Sequence, residues 1–165
     1  VALVVENGTG LADANTYASV ETLKAYAKAR GESVPSSSYE CEQLLLKAMD
    51  YMTGLDYVGD RQNRLQPLDW PRVNVVVDNF PYGTNELPRY LEQAQCALAI
   101  EAGKGLELLP SRAHDAPGRV VEDTVGPITT IYENQGRVNQ VPAIAKAEVL
   151  LRRILKRSGL MAIRS

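Results

Sequence analysis

Histidine, tryptophan and phenylalanine each occur once in these 165 residues, and cysteine twice. Each scarcity excludes a class of chemistry. The single histidine, His114, lies in a loop between Arg112 and Asp115, and the pattern offers it neither a nucleophile nor an orienting partner. A small hydrolase built on it is therefore set aside. Cys41 and Cys96 stand far apart, with no Cys-x-x-Cys pair and no Cys/His cluster. That spacing gives no disulfide framework and no zinc site; each cysteine falls in a helical pattern, where it serves as a small buried apolar group. There is no G-x-x-x-x-G-K-S/T and no G-x-G-x-x-G. Gly8-Thr9-Gly10 has no lysine after it to hold a phosphate, so it reads as turn chemistry. EF-hand and H-E-x-x-H patterns are missing too. The densest acidic pair outside helices, Glu122-Asp123, lies on a β-prone run, where neighbours point to opposite faces. No enzyme activity, cofactor or metal is expected.

Long apolar runs are also lacking. They stop at four or five residues, which excludes a membrane span. The opening Val1–Glu6 lacks the charged start and long apolar stretch of a signal peptide, and the expectation is an intracellular protein with no membrane partner.

What is present is ordinary globular material: 45% hydrophobic and 23% charged residues, in a length that suits one domain over 1–165. The net charge of −2 conceals an asymmetry. Residues 142–165 carry six basic side chains, Lys146, Arg152, Arg153, Lys156, Arg157 and Arg164, against the one acid Glu148. Residues 1–141 carry the remaining twelve basic and nineteen acidic residues, a net of −7. A basic end on an acidic body suits contact between copies, or contact of that end with another surface; it also suits a solvated helix end complementing its own dipole.

Four helices are legible. Ser19 caps a helix over about Val20–Arg30, with Gly31 just past its end. Ser37-x-x-Glu40 is a capping box that opens a second, whose stripe is Cys41, Leu44, Leu45, Ala48 and Met52, ended by Gly54. Asn85 is placed to cap a third, with Pro88 in its first turn and Leu87, Leu91, Ala94, Leu98 and Ala102 as its stripe. Pro142 starts the fourth, with Ile144, Ala147, Leu151, Ile154 and Leu155 on one face. Arg119–Val125 and Ile128–Tyr132 are β-prone and flank Gly126-Pro127, as a hairpin or one broken strand. Residues 59–86, rich in Pro, Gly, Asn and Asp, read as an extended loop region, with Val73–Val77 a short extended piece, and 158–165 as a C-terminal tail. The expected fold is mainly α: a small four-helix bundle with a short β-hairpin and long loops.

Five of the eight tyrosines, Tyr17, Tyr26, Tyr39, Tyr51 and Tyr57, fall on or beside the first two helices, in the acidic body, where packing or subunit contact is their expected use rather than base stacking. Trp70, followed by Pro71 and Arg72, is the most distinctive local feature. It anchors the long loop onto its own helices or onto another molecule.

Three elements, in order, resemble a known family. Val5-Glu6-Asn7-Gly8-Thr9-Gly10-Leu11, continuing through Ala14-Asn15-Thr16-Tyr17 to Ser19, is similar to the family's opening V-E-D/N-G-T-G-L-x-x-A-N-S/T-Y-x-S. Gln66-Pro67-Leu68-Asp69-Trp70-Pro71-Arg72 resembles its Q-x-L-x-W-P-R, and Val125-Gly126-Pro127-Ile128 with Tyr132 its V-G-P-I…Y. Members are tailed-bacteriophage proteins, identified either as head–tail connectors (adaptors) or as DnaT-like single-stranded-DNA-binding proteins. The connector identity implies a structural, non-enzymatic subunit of the virion. It is assembled in the host cytoplasm into a homo-oligomeric ring, usually dodecameric, beneath the portal protein. The ring extends the channel through which genomic DNA passes without sequence-specific binding, and it offers a surface to the tail or to a head-completion protein. Head-to-tail contact between unlike faces closes such a ring. Trp70, Pro71, Arg72, Arg152, Arg153, Lys156, Arg157 and Arg164 are the expected protein-interface residues, the last five docking on portal or on a neighbouring copy. The alternative is a single-stranded-DNA-binding replication accessory protein, whose binding is salt-sensitive.

Overall fold

The computed structural model describes residues 2–109 and 145–156, together with the strands at 120–124 and 129–132. Two compact units result, one of residues 1–108 and 143–165 and one of residues 109–142.

Helix α1 spans Val20–Lys28, and the Ser19 side chain accepts the Thr22 N–H, as the capping pattern requires. It stops two residues short of the expected Arg30, and the chain turns through Gly31 at φ +67°. Helix α2, Ser38–Thr53, opens on the Ser37 side chain, which accepts the Glu40 N–H. Its buried Cys41, Leu44, Leu45, Ala48 and Met52 are the stripe read from the spacing. Helix α3 spans Arg89–Gly103 and begins later than the sequence suggests. Asn85 does not cap it; its side-chain oxygen accepts from the Gln62 amide instead. Pro88 occupies the cap with no side-chain bond, and the restriction that proline places on Leu87 keeps the helix from starting earlier. Helix α4 is the short run Ala145–Leu151; the expected start at Pro142 lies outside the described residues.

These helices do not make a four-helix bundle, and the expected fold class is corrected on this point. Among the described residues α3 is the central element, packed against α1, α2 and α4, while α4 meets neither α1 nor α2. Residues 59–86 are no structureless loop, and they put Leu68, Trp70, Val75 and Val77 into the core. Strand β1 (Asp60–Arg61) pairs antiparallel with β2 (Arg72–Val73), and β3 (Val76–Val77) with β4 (Phe80–Pro81). Asp78 and Asn79, both at positive φ, form the two-residue turn of the second hairpin. Two-residue strands are too short to show any alternation in sequence, which is why the segment read as irregular. In the other unit, β5 (Val120–Thr124) pairs antiparallel with β6 (Thr129–Tyr132), which resolves the two β-prone runs into a hairpin.

The core gathers Leu23, Leu45, Met52, Leu91, Leu98, Leu151 and Ile154 around Trp70, all fully or almost fully buried. Before α1, the chain lies along the body in an irregular loop. Gly8 there has φ +99°, and a Cβ on it would stand 2.4 Å from the Asn85 carbonyl oxygen. Neither the backbone angle nor the space admits a side chain. Gly8→Ala is therefore expected to cost more than about 1 kcal/mol, read as a lower urea midpoint with an unchanged slope.

Candidate functional site

The motif residues come first, because the structure uses them inward. Glu6 is 3% exposed. Its Oε1 accepts the N–H groups of Asn7, Gly8 and Gly10, and its Oε2 accepts that of Leu11, at 2.9–3.0 Å. The Glu-Asn-Gly-Thr-Gly-Leu run is thus a loop folded around its own carboxylate, which occupies the nest of amides an external anion would need. Gln95 on α3 is fully buried. Its oxygen accepts from the N–H groups of Tyr17 and Ala18, and its amide donates to Thr16 Oγ1 and the Leu45 carbonyl. The Tyr17 hydroxyl in turn accepts the Trp70 N–H at 3.0 Å. Burial raises the Tyr17 pKa well above the usual phenol range, so the hydroxyl remains a neutral partner at physiological pH.

Trp70 is completely buried, with a cis bond to Pro71, and meets Tyr57 and Tyr82 edge-on at 6.5 and 6.3 Å between ring centroids. Its use is inside this chain. Pro71 is likewise buried, and Arg72 is 8% exposed. The Arg72 guanidinium donates to the carbonyls of Val58, Asp69, Tyr57 and Gly59. Four bonds from one guanidinium to backbone carbonyls tie β2 to the segment before β1. Gln66 completes the arrangement by donating to the carbonyls of Leu68 and Pro71. None of the three residues, Trp70, Pro71 or Arg72, faces outward.

The basic end behaves differently. Arg152, Arg153 and Lys156 are exposed, whereas Arg157 and Arg164 lie outside the described residues, as does His114. The segment after α4 runs beside the turn out of α2: Val58 N–H donates to the Ile154 carbonyl at 2.9 Å, and Lys156 N–H to the Asp56 carbonyl at 2.8 Å. Arg153 reaches the β3–β4 hairpin, where its Nη1 stands 3.0 Å from Asp78 Oδ2, with both side chains more than half exposed. Two residues beyond Asp78, Phe80 is 74% exposed, and Val76 on the partner strand is 60% exposed. Below them the Tyr82 and Tyr90 hydroxyls are 3.2 Å apart. Burial raises the Tyr90 pKa, and the nearby Arg153 charge opposes the shift. Arg153 therefore meets, through Asp78, the hairpin that carries the exposed Phe80, some seventy residues away in the chain. The cations were visible in sequence; Phe80 was not singled out, because an aromatic next to a proline carries no signal of exposure.

Elsewhere, an open groove of about 600 Å³ lies between Tyr26, Ala97, Ile100, Val149 and Leu150. At its edge Glu32, Glu101, Lys104 and Lys146 pair among themselves at 2.9–3.4 Å. Hydrogen bonds from the two lysines hold the Glu32 carboxyl below its ordinary pKa. Burial pushes the Cys96 thiol up to about 12, which leaves it unreactive as a nucleophile. Among the described residues no group of three or more His, Cys, Asp or Glu could hold a metal ion, and no helix is long and apolar enough to cross a membrane.

Gln95→Leu removes the acceptor of the buried Tyr17 N–H while keeping nearly the same volume. The expected loss is about 1–3 kcal/mol, the cost of one buried donor without a partner, measured by denaturant unfolding.

No curated protein and no solved structure matches the chain. One family model does, over residues 1–165, and its description is "Putative DnaT-like ssDNA binding protein". With a match that spans its whole length, the chain belongs to this DnaT-like family.

Proposed function

We propose that the protein binds single-stranded DNA through its backbone and bases without reading sequence. The observation that carries this reading is the family match across the entire chain. The surface formed by Arg152, Arg153 and Lys156 beside the β3–β4 hairpin supports it, since single strands are bound by cations that follow phosphates together with aromatic rings that stack on bases. The rest of the molecule is acidic, so attraction is local to that surface and is screened readily by salt. Fluorescence anisotropy of a labelled oligo(dT) tests the reading. With about three phosphates neutralised, a rise from about 50 to about 200 mM salt weakens binding about 20-fold. An oligonucleotide whose anisotropy does not change at low salt overturns it.

A second reading is the non-enzymatic connector subunit implied by the resemblance of the three sequence elements, forming a ring against portal at the head–tail junction. The exposed apolar side chains Leu65, Val76 and Phe80 favour it, because residues of this kind gain by contact between subunits. Negative-stain microscopy of the protein, alone and mixed with portal, separates the two. Rings or decorated portals in a sample that leaves oligo(dT) unbound support the connector. Dispersed particles that bind the oligonucleotide rule for the first reading.

A further inference from the structure

We infer that the β3–β4 hairpin and the segment after α4 form one subsite for a single strand, in which Phe80 stacks on a base, Arg152, Arg153 and Lys156 hold the adjoining phosphates, and Asp78 occupies Arg153 until a phosphate displaces it. The inference rests on the single-strand reading above and assigns it a place.

The geometry argues for these roles one at a time. A stacking residue must offer its ring face to solvent. Phe80, 74% exposed on a two-residue strand, does so, whereas Trp70 and Tyr57 are shut inside the core. The ring must also be held. The hairpin beneath it is closed by the Val76–Pro81 and Val77–Phe80 pairs and by the tight turn through Asp78 and Asn79. Tyr82, just after the strand, anchors it from below: its N–H donates to the Val75 carbonyl, and its ring packs on Trp70. The platform is therefore held by contacts within the chain, which lowers the ordering cost of binding.

The phosphate side is equally placed. Hydrogen bonds from Val58 and Lys156 fix the backbone at 154 and 156, so the three cations are presented from an ordered segment. Arg152 and Lys156 are exposed. Among the described residues Arg153 pairs with the Asp78 carboxylate, at 3.0 Å. A carboxylate on an exposed guanidinium accepts from the same N–H donors that a phosphate would use, and such an exposed pair contributes little to stability. Asp78 then acts as an internal competitor, weakening binding while keeping Arg153 aimed beside Phe80. The tight turn that carries Asp78 puts the competitor and the stacking ring on the same hairpin tip.

The test is oligo(dT) anisotropy on the full chain, with thermal melting to verify each fold. Phe80→Ala is expected to weaken binding about 5- to 100-fold, and Phe80→Trp to restore it. Replacing Arg152 and Lys156 together with Ala is expected to reduce the salt slope by about 1.4, the value for two phosphate contacts on a single strand. Asp78→Asn is expected to tighten binding, and Lys47→Ala, on the exposed face of α2, to leave it unchanged. If wild-type protein binds but the Phe80→Ala and the Arg152/Lys156 variants bind just as well, the subsite is wrong and the single-strand reading survives. Asp78→Asn binding no tighter than wild type removes the competitor role. A wild-type protein that binds nothing overturns both.

Discussion

Gln95 carries a polar carboxamide into the centre of an otherwise apolar helix face, and the rest of the architecture depends on its being satisfied. An amide buried without partners costs more than most single apolar contacts return. Here both ends are paired: the oxygen with Tyr17 and Ala18, the nitrogen with Thr16 and the α2 backbone at Leu45. One side chain thus locks the segment before α1 onto both long helices. The lock extends outward, because Tyr17, fixed by its N–H, holds the Trp70 backbone through its hydroxyl. Trp70 then packs against Tyr57 and Tyr82 and so organises both small hairpins.

This chain of dependence explains why the most distinctive motifs are buried. Glu6 is consumed by the amides of its own loop, and Arg72 by four carbonyls. Such residues hold irregular backbone in place where no helix or sheet ladder can satisfy it. Among the described residues, this scaffolding leaves Phe80 at the hairpin tip and the cations after α4 exposed. The acidic bulk of the chain confines attraction for an anionic ligand to those cations.

Helices were legible to the extent that caps and stripes are local. Ser19 and Ser37 both cap as their spacing indicates, and the α2 stripe faces the core. Asn85 failed as a cap because Gln62, twenty-three residues away, takes its side chain, and Pro88 imposes a later start. The bundle failed for a different reason. Four amphipathic stripes do not state which helix sits at the centre, and part of the core comes from 59–86, which carries no periodic signal.

Composition and spacing by themselves determined the helix-rich core and the charge contrast between the body and residues 142–165. These follow from local rules and simple counts. Only the tertiary structure decided that Trp70, Pro71 and Arg72 point inward, that Gln95 is the polar centre, and that Arg153 meets Asp78 beside an exposed Phe80. Each of those outcomes depends on what the fold brings together: Trp70 on Tyr17, Arg72 on the carbonyls of residues 57–59, Gln95 on Tyr17 and Ala18, and Arg153 on Asp78. Side-chain burial is set by what the folded chain brings alongside, and no local pattern encodes that.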